Sequence, residues 1–129
     1  MHLDQYLSSD ATTLAGLVAA GEVTASELLA LARERADAVN PVINAIVVPL
    51  TRVADARAAD PSLTGPFAGV PFLVKDLAQE YAGFPTSNGS RALAHDVAVQ
   101  TQKHKRATML TPAAAGSGVI RLLANTVFD

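Results

Sequence analysis

Residues 65–77 read GPFAGVPFLVKDL, and this stretch contains both a turn signal and the clearest strand signal of the chain. Its glycines and first proline are typical of turns, and the apolar run that follows is typical of a strand. Alternation over 72–77 places Lys75 between Leu73 and Leu77 on one face of that strand, with Asp76 on the other. A lysine at the end of an apolar run either lies at a solvated strand end or is a base whose neutral form is favoured by burial. Residue type alone favours the solvated end.

Two helices are predicted before this strand. Asp10, with Ser9, can cap a helix that begins at Ala11, and Gly21 supplies a left-handed stop. The stretch TASE at 24–27 has the form of a capping box, in which the threonine hydroxyl and the glutamate side chain each satisfy a backbone N–H. A second helix is therefore expected from about 25 to 39, ended by Asn40-Pro41 because the residue before proline avoids the helical region.

The remaining segments complete an α/β pattern. The apolar run 44–48 suits a buried strand, a weaker helix is expected over 49–59, and 82–90 is a loop by composition. Alternating helix and strand up to Leu77 predicts an α/β fold. After Ala94 the chain turns polar and basic, and its one short apolar run is 119–123. We therefore expect a poorly ordered tail.

Composition excludes several classes of function. A net charge of −2 gives no general attraction to nucleic acid or to an anionic membrane. The absence of cysteine removes disulfides and thiolate chemistry and fits a reducing compartment. No apolar stretch approaches the roughly 20 residues of a membrane span, and the first residues lack a signal-peptide pattern. We expect a cytoplasmic protein with no nucleic-acid and no membrane partner.

Three blocks, in order, resemble the N-terminal part of the amidase signature family. They are GEVTASELLALARERADAVNPVINAIVVPL at 21–50, GPFAGVPFLVKDL at 65–77 and GFPTSNGSRAL at 83–93. The resemblance covers roughly 10–93 and implies the N-terminal part of an α/β/α fold, with helices around a mixed sheet, incomplete in this chain. The INAIVVPL block is similar to the branch that includes 6-aminohexanoate cyclic-dimer hydrolases. We expect 1–129 to be a single partial amidase domain with a divergent tail at 94–129.

The resemblance also implies a chemistry. The family hydrolyses carbon–nitrogen amide bonds with a Ser–cisSer–Lys triad, and Lys75 corresponds to its catalytic lysine. Burial among apolar side chains penalises the ammonium, so the neutral amine becomes available as a base. That amine would take a proton, through a bridging serine, from a second serine that attacks the amide carbonyl. The implied substrate is a small-molecule amide, with no cofactor, and the resemblance leaves room for a homodimer.

The serines of such a triad have no clear counterpart in the chain. In the family they lie in a Gly/Ser-rich stretch well downstream of the lysine, and this chain shows no such stretch. Ser117, in AGSG at 115–118, is a single serine too close to Lys75, and we interpret it as part of a linker. Ser87 and Ser90 lie in the third block and are expected to shape the loop beside the lysine. The chain alone is therefore expected to be inactive, with Lys75 at least partly exposed.

Two alternatives stay open. The first is an amidotransferase A-type subunit, which uses the same triad to release ammonia from glutamine and needs partner subunits. The second is a non-enzymatic remnant of a truncated or frameshifted gene, because TQKHKRATMLTPAAAGSG at 101–118 departs from the family pattern.

Other polar residues predict no further site. The histidines at 2, 95 and 104 lack metal-ligand spacing and have no cysteine to join them, so no metal site is expected. The basic run KHKR at 103–106 has no aromatic residues between its charges and is interpreted as a solvated face.

Overall fold

A computed structural model of the chain describes residues 1–76, 81–99 and 120–124, the last range through its backbone alone. The elements in chain order are helices α1 (Leu3–Ser8), α2 (Ala11–Ala19) and α3 (Ala25–Ile43), strand β1 (Ile46–Pro49), helix α4 (Thr51–Ala58), strand β2 (Pro71–Lys75), a 3-10 turn (Arg91–Leu93) and strand β3 (Ile120–Ala124). Within these ranges, no helix combines the length and the apolarity needed to cross a membrane. The combination of helices and strands is α/β, as the sequence predicted. The complete α/β/α arrangement stays a prediction.

The starts of α2 and α3 confirm the predicted caps. The Asp10 carboxylate accepts a hydrogen bond from the Thr13 N–H at 2.7 Å. At α3 the Thr24 hydroxyl accepts from the Glu27 N–H at 3.2 Å, and the Glu27 carboxylate accepts from the Thr24 N–H at 2.8 Å. Gly21 has the expected left-handed conformation, with φ 72°. The capping signals therefore position both helices correctly.

The end of α3 corrects the prediction of a stop at Asn40-Pro41. The helix includes Pro41 and continues to Ile43. Asn44 then adopts the left-handed conformation, with φ 47°, and its N–H donates to the Asn40 carbonyl at 2.7 Å. The Asn40 side chain also accepts from the Ile46 N–H at 2.8 Å and donates to the Ile46 carbonyl at 3.0 Å. These contacts hold the last turn closed in spite of the proline.

The three described strands form one mixed sheet in the order β1-β3-β2. β3 runs parallel to β1 and antiparallel to β2. Lys75 is in register with Ile120, and Ile120 with Ile46, so these three residues form one row across the sheet. A register shift between Ile46 and Pro49 marks an irregularity in β1.

The position of β3 differs from the expected poorly ordered tail after Ala94. Residues 120–124 form the middle strand of the sheet. Closer to Ala94, the Ala98 N–H donates to the Phe84 carbonyl at 3.1 Å. The expectation is therefore wrong for these parts of the tail, because their partners are strands and loops far away in sequence. Residues 100–119 and 125–129 lie outside the described residues.

Apolar packing covers one face of β2 more fully than the other. Val74 is buried with Leu50 at the start of α4, and Tyr81 and Phe84 pack against the same cluster. On the opposite face Leu73 is 37% exposed. β1 is also more open than the predicted buried strand, because Val47 is 43% exposed. The face of β2 that carries Lys75 is thus the more open one.

A second cluster joins the helices to the segment that leads into β2. It consists of Leu14, Ala15, Val23, Leu28 and Val70. Next to Val70, Gly69 has φ +87°, and a Cβ atom placed on it would lie 2.6 Å from Cγ1 of Val18. Glycine is required there because the backbone is left-handed and α2 approaches it closely.

Candidate functional site

Lys75 is the last residue of β2 and is half-buried. Its face of the strand is shared with Leu73, as alternation predicts, and the partial exposure agrees with the expectation for this chain. Leu77, the other predicted neighbour, lies outside the described residues. The structure therefore places the lysine at the edge of the packed region, on the open face of β2.

Asp76 follows Lys75 and is almost fully buried, with 2% of its surface exposed. The Ser87 N–H donates to its two carboxylate oxygens at 3.1 and 3.2 Å, and the Ser87 hydroxyl donates to Oδ2 at 2.5 Å. A buried carboxylate is costly unless such hydrogen bonds replace its hydration. The sequence placed Asp76 only on the face opposite Lys75 and did not predict this contact.

The loop that carries Ser87 is fastened on its other side. The Gly83 N–H donates to the Ala98 carbonyl at 2.9 Å, and the Thr86 N–H donates to the Asp96 carbonyl at 2.9 Å. These hydrogen bonds pair the loop with residues 96–98. Asp76 therefore joins the end of β2 to a segment that is itself held in place.

The two serines of the third block both stabilise local backbone. The Ser87 hydroxyl oxygen lies 3.3 Å from the Gly89 N–H, which donates to it. The Ser90 hydroxyl caps the 3-10 turn and accepts from the Ala92 N–H at 3.3 Å. These contacts fit the loop-shaping role predicted for both residues. Ser117 and the basic run 103–106 lie outside the described residues.

A shallow depression of about 190 Å³ lies beside the contact between Asp76 and Ser87. Its lining consists of Val47, Val48, Asp76, Pro85, Ser87 and Ala94. Lys75 is not among these residues, since it projects from the other face of β2. The structure thus brings Asp76 and Ser87 together, with the depression beside them, and leaves Lys75 across the strand.

Two carboxylates at helix starts have lowered pKa values with local causes. Hydrogen bonds from Thr24 lower the pKa of Glu27, and hydrogen bonds from Thr13 lower the pKa of Asp10. Both carboxylates cap helix starts. In the ranges 1–76 and 81–99 no group of three or more histidine, aspartate or glutamate side chains could hold a metal ion.

A family model described as Amidase matches residues 27–106 of the chain. The chain therefore belongs to the Amidase family, and the resemblance found in its three sequence blocks is confirmed. The matched range contains β2 with Lys75, the buried Asp76 and the loop with Ser87. It begins and ends later than the region 10–93 that the blocks suggested.

Three relatives illustrate the similarity. The chain is 48% identical over 71 residues to a 6-aminohexanoate-cyclic-dimer hydrolase from Pseudomonas sp. (strain NK87), an alignment that covers 55% of this chain and 14% of that protein. It is 40% identical over 94 residues to the A-type subunit of the glutamyl-tRNA(Gln) amidotransferase from Salinispora arenicola. That alignment covers 67% of this chain and 19% of the relative. It is 37% identical over 95 residues to an acylamidase from Rhodococcus erythropolis. That alignment covers 68% of this chain and 20% of the relative.

These alignments span 14% to 20% of the length of the relatives. No solved structure matches the chain significantly.

Proposed function

We propose that this chain supplies the lysine-bearing, N-terminal part of an amidase that hydrolyses carbon–nitrogen amide bonds. The observation that carries this proposal is the place of Lys75, at the end of β2 inside the range that matches the Amidase family. The packing of the preceding residue supports it further, because Val74 is buried against Leu50 and so holds the strand that carries the lysine.

In the proposed mechanism Lys75 is the base of a Ser–cisSer–Lys triad. Its Nζ takes a proton from the bridging serine, which takes one from the nucleophilic serine. The nucleophilic oxygen attacks the amide carbonyl, the proton returns through the bridging serine to the amide nitrogen, and the neutral amine leaves as the carbon–nitrogen bond breaks. Water then hydrolyses the resulting acyl-enzyme, which releases the acid and restores the serine hydroxyl. Lys75 is the residue that this chain contributes. The sequence of the chain contains no Gly/Ser-rich stretch with the two serines, so we propose that the chain alone does not turn over amides.

The proposed substrate is a small-molecule amide, and the proposed mechanism needs no cofactor. The names of two relatives support this class of substrate, since one is a cyclic-dimer hydrolase and another an acylamidase. A cytoplasmic location is proposed with them, because a chain without cysteine fits a reducing compartment. A homodimer is the assembly to test first.

A graft tests the role of Lys75. Residues 27–93 of this chain would replace the matching segment of the Pseudomonas hydrolase, and hydrolysis of the 6-aminohexanoate cyclic dimer would be measured. We expect an active graft in which Lys75→Ala lowers kcat by roughly 10²- to 10⁴-fold, the usual contribution of general acid–base catalysis. Arg35→Ala, an exposed substitution on α3, is the control and should leave kcat unchanged. A folded graft that keeps its activity after Lys75→Ala would contradict the proposed role.

The amidotransferase alternative rests on the similarity to the Salinispora arenicola protein. It predicts that the same residues, grafted into that protein in complex with its partner chains, support ammonia release from glutamine. Activity in the amidotransferase host together with none in the hydrolase host would favour it. The purified 129-residue chain should release neither p-nitroaniline from an anilide nor ammonia from glutamine. Turnover that disappears with Lys75→Ala would show that the chain is a complete enzyme.

A further inference from the structure

We propose that Asp76 is a positioning residue for Lys75. Its buried carboxylate clamps the loop 81–90 to the end of β2 and so fixes the backbone from which the lysine projects. This inference rests on the proposed function of Lys75, and it assigns a role to a residue that the sequence did not single out.

The first support is the geometry of the contact. Both carboxylate oxygens of Asp76 are engaged by the Ser87 N–H, and Oδ2 also accepts from the Ser87 hydroxyl. A carboxylate that is 2% exposed gains little from water, so these hydrogen bonds provide much of what replaces its hydration. Charge-assisted hydrogen bonds are about twice as strong as neutral ones, which makes the contact a firm link.

The second support is what the link connects. Ser87 lies on a loop whose Thr86 and Gly83 N–H groups donate to carbonyls of residues 96–98. Tyr81 and Phe84 of the same loop pack against the cluster that contains Val74, the residue before Lys75. Loop and strand therefore meet twice, through apolar packing at Val74 and through hydrogen bonds at Asp76. Lys75 lies between these two points.

The consequence concerns how accurately the Lys75 amine is positioned for catalysis. A catalytic group misplaced by about 1 Å can lose roughly 100-fold in rate, so the backbone on both sides of Lys75 needs support. Asp76 supplies this support from the opposite face of β2, without occupying the face that the lysine needs.

The test uses the full 129-residue chain and two measurements. Hydrogen exchange at the Ser87 amide reports the clamp, and the labelling rate of Lys75 by an amine-directed reagent, relative to the N-terminal amine, reports the position of the lysine. In Asp76→Ala we expect the Ser87 amide to exchange about 10- to 100-fold faster, the range for losing a hydrogen bond to a charged group. Labelling of Lys75 should rise severalfold in the same variant.

Two milder variants keep the test valid if Asp76→Ala unfolds the chain, which faster exchange throughout α3 would reveal. Asp76→Asn retains an oxygen for the Ser87 N–H and should restore much of the protection at both residues. Ser87→Ala removes the hydroxyl alone and should have an intermediate effect. Asp55→Ala, which breaks a surface ion pair with Arg33, is the control and should change neither measurement.

Faster exchange at Ser87 without any change at Lys75 would overturn the proposal, because the clamp would then hold the loop and not the lysine. Unchanged exchange at Ser87 would overturn it as well. Neither measurement requires catalysis. A graft that stays active after Lys75→Ala would therefore refute the proposed function without altering these results.

Discussion

Replacing Gly69 by alanine should destabilise the chain strongly, through two separable effects. The residue has φ +87°, and its new Cβ would lie 2.6 Å from Cγ1 of Val18 on α2. The left-handed backbone costs about 1–2 kcal/mol for a residue with a side chain. The overlap with Val18 should add the cost of overpacking, about 1–3 kcal/mol. The free energy of unfolding should therefore fall by about 2–5 kcal/mol in total.

The chain offers a matched control for the backbone effect. Gly21 also has a left-handed conformation, with φ +72°, but a Cβ placed there would meet nothing within 4 Å. Gly21→Ala should cost only the backbone term, about 1–2 kcal/mol. The difference between the two variants then measures the contact with Val18.

Urea denaturation followed by circular dichroism gives the free energies of unfolding for this comparison. In a double-mutant cycle, Val18→Ala should relieve the overlap, so that Gly69→Ala costs less in the Val18→Ala background by about 1–3 kcal/mol. A Gly69→Ala variant no less stable than Gly21→Ala, with no coupling to Val18, would refute the close approach of α2 to the segment before β2.

Two further predictions follow from the ends of α3. Hydrogen bonds from Thr24 lower the pKa of Glu27 in the folded chain below its ordinary value of 4.5. The ionised Glu27 side chain therefore stabilises the fold above pH 4.5, and this stabilisation is lost as the pH falls through the pKa that Glu27 has in the folded chain. Glu27→Gln keeps the capping box without a titrating group, so the urea midpoint should fall less between pH 4.5 and lower pH than it does in the original chain. The same pH profile in both proteins would contradict a stabilising role of the ionised Glu27. At the other end, Asn40→Ala removes both hydrogen bonds to Ile46 and should cost about 1–3 kcal/mol of unfolding free energy. Asn40→Asp, which can still accept from the Ile46 N–H, should lower the free energy of unfolding by less. Equal losses in the two variants would show that the hydrogen bond from the Ile46 N–H does not stabilise the end of α3.

The parts of the fold that follow from neighbouring residues were predictable. The caps at Asp10 and Thr24 act within one helical turn, and Gly21 stops a helix through its own backbone, so a single sequence contains the relevant information. The end of α3 shows where such rules fail. Asn40-Pro41 is a valid local stop signal, but the contact of Asn40 with Ile46 and the left-handed Asn44 carry the helix past it. The short α1 was not predicted.

The parts that depend on distant residues were not predictable from local pattern. The apolar run 119–123 is too short to be recognised as a strand by itself, and its partners lie in β1 and β2. Asp76 presented a similar difficulty at the candidate site. Alternation correctly placed it opposite Lys75, but its burial depends on a serine in a separate loop. The lysine was found through the family resemblance, since an isolated lysine at a strand end has an ordinary surface interpretation.

The order of strands in the sheet has a consequence for synthesis of the protein on the ribosome. β1 and β2 are made early, yet each pairs with β3, whose residues 120–124 emerge much later. Until then both strands have backbone N–H and carbonyl groups without their sheet partner, and such edges readily pair with strands of other chains. A nascent chain is therefore most prone to aggregate after β2 has left the ribosome and before β3 has done so. A chaperone that binds extended segments would be most useful in that interval.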